Sequence, residues 1–290
     1  MKEPLVSILM LNWNGRQHLT NALNSVKEHT KNFDYELILV DQGSTDGSVE
    51  LVEKQFPWVQ IIKNKANLGI PIASNKAIRK ASGKYLYFLG NDTIVSKNWL
   101  KPCIDLVESE PMMAIVGSTL VAPKKVNEIK PKKKWKYRDN VCSQGMLATK
   151  KVFDLVGLYD ENHFNPYGGE ETDWEYRALN AGFKIAETEE SIVGHIGGGD
   201  TKKQNPDREL LLNIGRLRAM LFNDSFFSFL KRIPGLGLVF VRSFQNGTTL
   251  IILKSYWIVL SGWKIILKER KIRSDALKKL RKDNLNLALL

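Results

Sequence analysis

Apolar and polar positions alternate in blocks along the first part of the chain. Short apolar runs lie at Val6–Leu11, Glu36–Val40, Val59–Lys63, Tyr85–Leu89 and Ala114–Val121. Between them, apolar residues recur at helical spacing near Leu19–Lys27, Ser48–Gln55, Ile72–Ala81 and Trp99–Glu108. Buried strands separated by amphipathic helices predict βαβ units, a parallel sheet and right-handed crossovers. Residues 123–138 break the rhythm, because eight Lys/Arg there face one acid, Glu128. A block of that kind cannot be buried and reads as a loop or mobile hairpin. A second αβ-like stretch follows, with helices around Lys150–Val156 and Thr172–Ala181. There is no internal repeat. After Gly197-Gly198-Gly199 the chain becomes basic, helical and rich in Leu, Ile and Phe, which places a boundary near residue 200. The expected organisation is an α/β domain over 1–200 and a helical region over 201–290.

Composition sharpens that division. The chain has 290 residues, 43% apolar and 26% charged, which excludes disordered, collagenous and disulfide-dense classes. The net charge of +12 is unevenly placed: residues 1–200 hold 25 basic and 25 acidic residues, whereas residues 201–290 hold 18 and 6. A neutral body with a basic tail suggests a docking surface, and no recognition motif supports nucleic acid as a partner. Cys103 and Cys142 lack metal-type spacing and read as two partly buried thiols. The apolar run Leu5–Leu11 is too short for a signal-peptide core and reads as a first strand, so the chain is expected to stay in the cytoplasm.

Within the tail, Thr249–Arg270 reads as one helix. Lys254, Ser261, Lys264, Lys268 and Lys271 are spaced 7, 3, 4 and 3, which puts them on one narrow stripe against a broad apolar face. A span needs about 20 apolar residues, and Lys254 and Lys264 interrupt this one. The pattern fits a helix lying in a membrane surface; a core helix or a helix at a homo-oligomer contact is the other reading. Leu221–Val241 adds apolar surface, broken by Pro234 and Gly235, and Lys278–Lys282 ends the basic run.

Candidate chemistry gathers where the predicted strands end, since open parallel sheets bind ligands at their carboxyl ends. The first strand ends in Asn12-Trp13-Asn14-Gly15, the second in Asp41-Gln42-Gly43-Ser44-Thr45-Asp46-Gly47-Ser48, and the fourth in Gly90-Asn91-Asp92-Thr93. Asp41 can accept from a nucleobase N–H, and Trp13 offers a face for stacking. Ser44 and Asp46 fit either a ligand contact or a helix cap. No Gly-x-Gly-x-x-Gly follows the first strand and no Gly-x-x-x-x-Gly-Lys-Ser/Thr occurs, so dinucleotide and P-loop readings are weak.

These segments carry a resemblance. Val6–Gly15, Leu39–Ser48 (LVDQGSTDGS), Asn67–Gly83 (NLGIPIASNKAIRKASG) and Tyr85–Leu100 (YLYFLGNDTIVSKNWL) resemble successive motifs of family-2 glycosyltransferases. Gly145–Arg177, with GLYDE at Gly157–Glu161 and GEETDWEYR at Gly169–Arg177, is similar to the acceptor-side region of that family. The resemblance covers roughly residues 4–200 and is nearest to the rhamnosyltransferase-like branch that builds cell-surface polysaccharides. It implies a GT-A type α/β nucleotide-sugar domain with a mainly parallel sheet. Asp41 would hold the base, Trp13 would stack on it, Asn67 would lie along the nucleoside, and Asn12, Ser44, Asn91 and Asp92 would complete the donor site. The Asp-x-Asp metal motif of the family falls on Gly90-Asn91-Asp92, so the first acid is absent. Asp92 then serves as sole carboxylate ligand of Mn2+ or Mg2+, with His195 of VGHIGG near the diphosphate.

The resemblance further implies that Glu171 of Glu170-Glu171-Thr172-Asp173 is the catalytic base, with Asp173 its rival. The same cluster also complements a helix N-terminus. The implied reaction is an inverting transfer from a nucleoside diphosphate sugar, with UDP- or dTDP-sugars favoured, to a glycan or polyprenyl-linked hydroxyl. The basic tail would then meet the inner face of the cell membrane. A non-catalytic nucleotide-sugar-binding relative or scaffold is the alternative, favoured by Gly90 and Glu171 departing from the pattern. A sugar-phosphate nucleotidyltransferase would need a glycine- and arginine-rich N-terminal loop, which the chain lacks.

Overall fold

A computed structural model describes residues 4–197 and 207–283. The first apolar run forms Val6–Asn12 (β1), and Val6, Ile8 and Met10 are fully buried within it. Tyr35–Asp41 (β2) and Tyr85–Gly90 (β4) flank β1 in parallel, and Gln60–Lys63 (β3) adds to β2. A strand with parallel neighbours and both faces covered has no polar face to keep wet, which explains the unbroken apolar runs. Each such fully buried aliphatic side chain contributes roughly 1.5–3 kcal/mol. The helices Arg16–His29 (α1), Ser48–Gln55 (α2), Ile70–Lys80 (α3) and Lys101–Ser109 (α4) fall where the periodicity predicts them.

Beyond β4 the sheet changes character. Thr93–Val95 (β5), Met113–Val121 (β6), Trp135–Tyr137 (β7), Gly145–Thr149 (β8) and Lys184–His195 (β9) complete nine strands in the order β3-β2-β1-β4-β8-β6-β9-β5, with β7 beside β9. β8 runs antiparallel to both β4 and β6, and β5 and β7 run antiparallel to β9. The sheet is therefore parallel over β3-β2-β1-β4 and mixed beyond β4. The lysine-rich block is tied down as an edge rather than left loose. Arg138 pairs with Glu187 at 2.6 Å, and Lys132 and Glu189 exchange backbone bonds with β9 and the block. One base of the block, Arg138, thus meets an acid of β9, and the backbone bonds hold the rest along the sheet edge. Neither cysteine forms a disulfide among the described residues; Cys103 is buried and Cys142 exposed rather than half-buried.

A chain of hydroxyls fixes the sheet interior. Tyr87 Oη, Ser118 Oγ and Ser191 Oγ lie 2.6 and 2.5 Å apart in turn, and Ser191 donates to the Trp99 carbonyl at 2.5 Å. Buried polar atoms joined in this way cost the fold little, because none is left unpaired.

The chain divides into two compact units, Met1–Leu158 with Phe183–Gly198 and Tyr159–Gly182 with the C-terminal region. Composition alone places the boundary near 200; the segment 159–182 belongs instead with the tail. The reason is packing. Besides Glu161–Phe164 (α6), this second unit holds Glu170–Asn180 (α7), Arg208–Asn223 (α8), Phe226–Gln245 (α9), Thr249–Ser261 (α10) and Trp263–Asp283 (α11). Lys150–Val156 (α5) stays with the sheet. Gly169, at φ +84°, leads into α7, and a Cβ there would come within 2.6 Å of the Gly215 carbonyl oxygen on α8. Phe164, Tyr176, Ala219 and Phe222 form a buried cluster across the same helices.

Two tail expectations change. Pro234 does not end α9, which runs through it at the cost of one backbone bond. The helix expected over Thr249–Arg270 breaks at Gly262, where α10 and α11 meet at a 66° bend. The lysine stripe is thereby divided: Lys254 and Ser261 sit on α10, and Lys264, Lys268 and Lys271 on α11.

Candidate active site

Parallel register brings the polar strand ends together. β1 pairs Asn12 with Asp41 on one side and Leu11 with Gly90 on the other, so three loops open at one edge of the sheet. Asn12 is 1% exposed and holds them: its Nδ2 donates to Asp41 Oδ1 at 3.0 Å, Ser44 Oγ at 3.1 Å and Ser48 Oγ at 2.9 Å. Its Oδ1 accepts from Asn91 Nδ2 at 2.9 Å. Asp41 accepts in addition from Ser44 Oγ at 2.5 Å and from the N–H groups of Gly43 and Ser44 at 3.1 and 2.9 Å. The carboxylate expected to reach a base thus also folds the loop that would surround it. Trp13, on the neighbouring loop after β1, is 40% exposed and presents its ring.

Asp46 caps rather than binds. Its carboxylate accepts from Ser48 N at 3.0 Å and Arg16 N at 2.8 Å, joining the starts of two helices. Burial pushes its pKa up, yet the Ser48 and Arg16 bonds outweigh that and leave it lowered. Asn67 accepts from Gly69 N at 3.0 Å and shapes the turn into α3. Gln42, which sequence reasoning passed over, anchors that turn. It is 4% exposed, donates to Gly69 O at 3.1 Å and accepts from Asn64 Nδ2 at 3.0 Å and Leu68 N at 3.2 Å.

At the end of β4, Asp92 and His195 meet because β5 pairs Thr93 with His195. His195 Nε2 lies 3.4 Å from Asp92 Oδ2. Burial raises the Asp92 pKa, but the hydrogen bond and charge of His195 and the Gly197 N–H bring it below the usual value. A carboxylate in the turn between β4 and β5 and an imidazole at the end of β9 form a donor set suited to Mn2+ or Mg2+. Gly90 leaves space beside them: a Cβ there would lie 2.8 Å from Asp92 Oδ1 and in contact with Gln144 Oε1. The residues present therefore fit a cation.

The acids of the second unit differ sharply among themselves. Asp173 is 0% exposed; it accepts from Arg177 Nε at 3.1 Å, Asn223 Nδ2 at 2.8 Å and the Arg273 guanidinium. That arrangement holds helices together and leaves no face for an incoming hydroxyl. Glu170 is also buried and accepts from Gly168 N at 2.6 Å. Burial, reinforced by the charge of Glu171, pushes its pKa up to about 8. Glu171 lies half-buried at the first turn of α7, close enough for its charge to act on Glu170. Asp160, His163 and Glu269 also bring ligand atoms within 4.8 Å of one another. Arg273 lies among them, 2.9 Å from Asp160 Oδ2 and 3.8 Å from Glu269 Oε2, so the cluster is already neutralised by a guanidinium. Arg273 and Asn223 carry no motif that sequence could have flagged.

Comparisons with known proteins agree on one kind of molecule. The profile described as "Glycosyl transferase family 2" matches residues 7–165. "Putative teichuronic acid biosynthesis glycosyltransferase TuaG" of Bacillus subtilis (strain 168) is 29% identical over 124 residues, 41% of this chain and 49% of that one. "Glycosyltransferase AglE" of Haloferax volcanii is 24% identical over 206 residues, 66% of this chain and 67% of that one. Alignments to the first relatives span about half of their length or less, at 49%, 37% and 29%. Among solved structures, "Mannosyltransferase PcManGT from Pyrobaculum calidifontis in complex with GDP-Man and Mn2+" superposes with a TM-score of 0.60 at 14% identity, over 99% of this chain and 88% of that one. "Crystal structure of GalNAc-T7 with UDP, GalNAc and Mn2+" gives 0.60 at 17% identity, over 76% and 48%. At these identities the likeness concerns the fold, which is of the GT-A kind.

Proposed function

Because the chain belongs to glycosyl transferase family 2, we propose that it moves a sugar, with inversion, from a nucleoside diphosphate sugar to a hydroxyl of a glycan or lipid-linked acceptor. The observation carrying this reading is the strand-end network, in which Asn12 ties Asp41, Ser44 and Asn91 together beside the open face of Trp13. Trp13 stacks on the base, Asp41 and the loop it orders receive the base edge, and Asn67 borders the nucleoside. Asp92 and His195 would hold a divalent cation, which would supply positive charge against that of the departing diphosphate. Glu171 takes the proton of the acceptor hydroxyl, so that its oxygen can bond to the anomeric carbon as the bond to the diphosphate breaks. Asp173 keeps α7 in place and takes no proton.

UDP- and dTDP-sugars are the favoured donors, and a panel that includes GDP-sugars tests that preference. Glu171→Gln should retain nucleotide binding by calorimetry while transfer falls roughly 10²–10⁴-fold, the usual worth of a positioned base. Full transfer by that variant would remove Glu171 from the mechanism. Nucleotide binding with neither transfer nor donor hydrolysis, across the panel, would favour a binding protein instead.

A second part of the reading concerns place. Among the described residues no single helix is long and apolar enough to cross a membrane; α10 and α11 pass that test only as a bent pair. The tail nevertheless exposes Leu250 (80%) and Trp257 (75%), with Leu260, Trp263 and Phe244 also open. Basic residues outnumber acids 18 to 6 over 201–290. Apolar side chains among lysines suit an anionic membrane surface facing the cytoplasm, where a lipid-linked acceptor would be met. Sedimentation with vesicles containing anionic phospholipid should fall with salt and be lost in Trp257→Glu/Leu260→Glu. Equal sedimentation of that variant would refute it.

A further inference from the structure

The glycine that ends β4 has a partner across the sheet. β4 and β8 pair antiparallel from Tyr85↔Thr149 to Leu89↔Gly145. One step further along this register sets Gln144 opposite Gly90. Directly opposed residues in an antiparallel pair send their side chains to the same face, about 4.5–5.5 Å apart at Cβ. Gly90 sends none, and the Gln144 amide fills the vacancy: its Oε1 contacts the point where a Cβ at 90 would sit. Asp92 Oδ1 lies 2.8 Å from that same point, and Asp92 Oδ2 lies 3.4 Å from His195 Nε2. Among the described residues the Gln144 amide has no hydrogen-bond partner, so hydrogen bonding within the fold does not account for where it points. An amide oxygen and one carboxylate oxygen thus meet beside the Thr93 methyl where residue 90 has no side chain, and the imidazole lies against the other oxygen of the same carboxylate.

We propose that Gln144 is a ligand of the divalent cation, its Oε1 supplying from across the sheet the donor that a carboxylate at position 90 would supply. This rests on the metal-dependent donor site proposed above. A side-chain carbonyl is a hard oxygen donor of the kind Mn2+ and Mg2+ accept, but it is neutral. The site then carries one negative charge instead of two. Free protein should hold the cation weakly, with the diphosphate providing the missing charge.

The test follows Mn2+ binding by electron paramagnetic resonance on the full chain, with UDP, dTDP or GDP present or absent. Wild type should bind tightly only with nucleotide, and Asp92→Ala should abolish binding. Gln144→Ala should weaken Mn2+ binding on the order of tenfold, a loss typical when a metal site is disturbed, and should add a coordinated water in relaxation measurements. Gln144→Glu should strengthen binding without nucleotide. Gly90→Asp placed on Gln144→Ala should recover the lost affinity, since either side chain serves the same gap. Mn2+ affinity and water count unchanged in both Gln144 variants, with Asp92→Ala still inactive in binding, would overturn the role of Gln144 alone. Failure of wild type to take up Mn2+ with any of the three nucleotides would overturn the metal-dependent reading itself.

Discussion

Asp41 and Asp173 are both buried carboxylates, 2% and 0% exposed, yet they are accommodated by opposite means. Asp41 is met by an amide, a hydroxyl and two backbone N–H groups, all neutral. Asp173 is met by two guanidiniums and one amide. Neutral dipoles stabilise a charge without cancelling it, so the field of Asp41 still reaches an incoming polar group. Paired arginines close the field of Asp173, which leaves it a mechanical part. Acidity alone therefore does not mark a functional residue; the charge of its partners does.

The contrast can be broken most forcefully at Arg273. Arg273→Leu takes a guanidinium from both Asp160 and Asp173, and urea unfolding should show a loss of about 3–5 kcal/mol, as expected when one member of a buried ion pair is removed. A loss below about 1 kcal/mol would mean the pairing behaves as a surface contact. Glu170 gives the next effect. Its folded-state pKa of about 8 lies above its ordinary 4.5, so between those values the folded chain holds a proton that the unfolded chain has released. Stability should fall as pH rises across that window and level off above it. Glu170→Gln removes the dependence, and thermal unfolding should show it stabilised at pH 9 and nearly unchanged at pH 4. An identical shift at both pH values would contradict the assignment. Asp41→Asn should be mildest, about 1–2 kcal/mol, because its amide N–H groups would face donors. Calorimetry with UDP on the same variant sharpens the point: unaltered affinity would make Asp41 as purely mechanical as Asp173.

Much of this was legible in the sequence, and what was not has physical causes. The strands Val6–Asn12, Tyr35–Asp41 and Tyr85–Gly90 are buried on both faces, so their apolar runs are plain, and the polar residues closing them had to lie at one edge. β8 has only five residues, and β9 carries Glu187, Glu189 and Glu190, so neither stands out by hydrophobicity. The antiparallel placement of β8, which sets Gln144 against Gly90, depends on pairing between distant segments. The acid-rich start of α7 was visible, but separating Glu171 from Asp173 required Asn223 and Arg273, whose partners lie 50 and 100 residues away. Gly262 ended a helix that apolar content alone would have continued, because periodicity does not report where a backbone turns.

The split of the second unit into two stretches of chain has a consequence for how such proteins can diversify. The helix bearing Glu171 lies between α5 and β9 in sequence, yet it shares its packing with residues after 206. A single crossover near residue 200 would hand a new tail to a helix shaped for the old one, with Gly169 facing something other than Gly215. Exchange of tails between relatives therefore requires two coordinated crossovers, one around 159–182 and one at the tail. Where the tail has drifted in lineage, α7 should have drifted with it as a linked pair, inherited together although written apart.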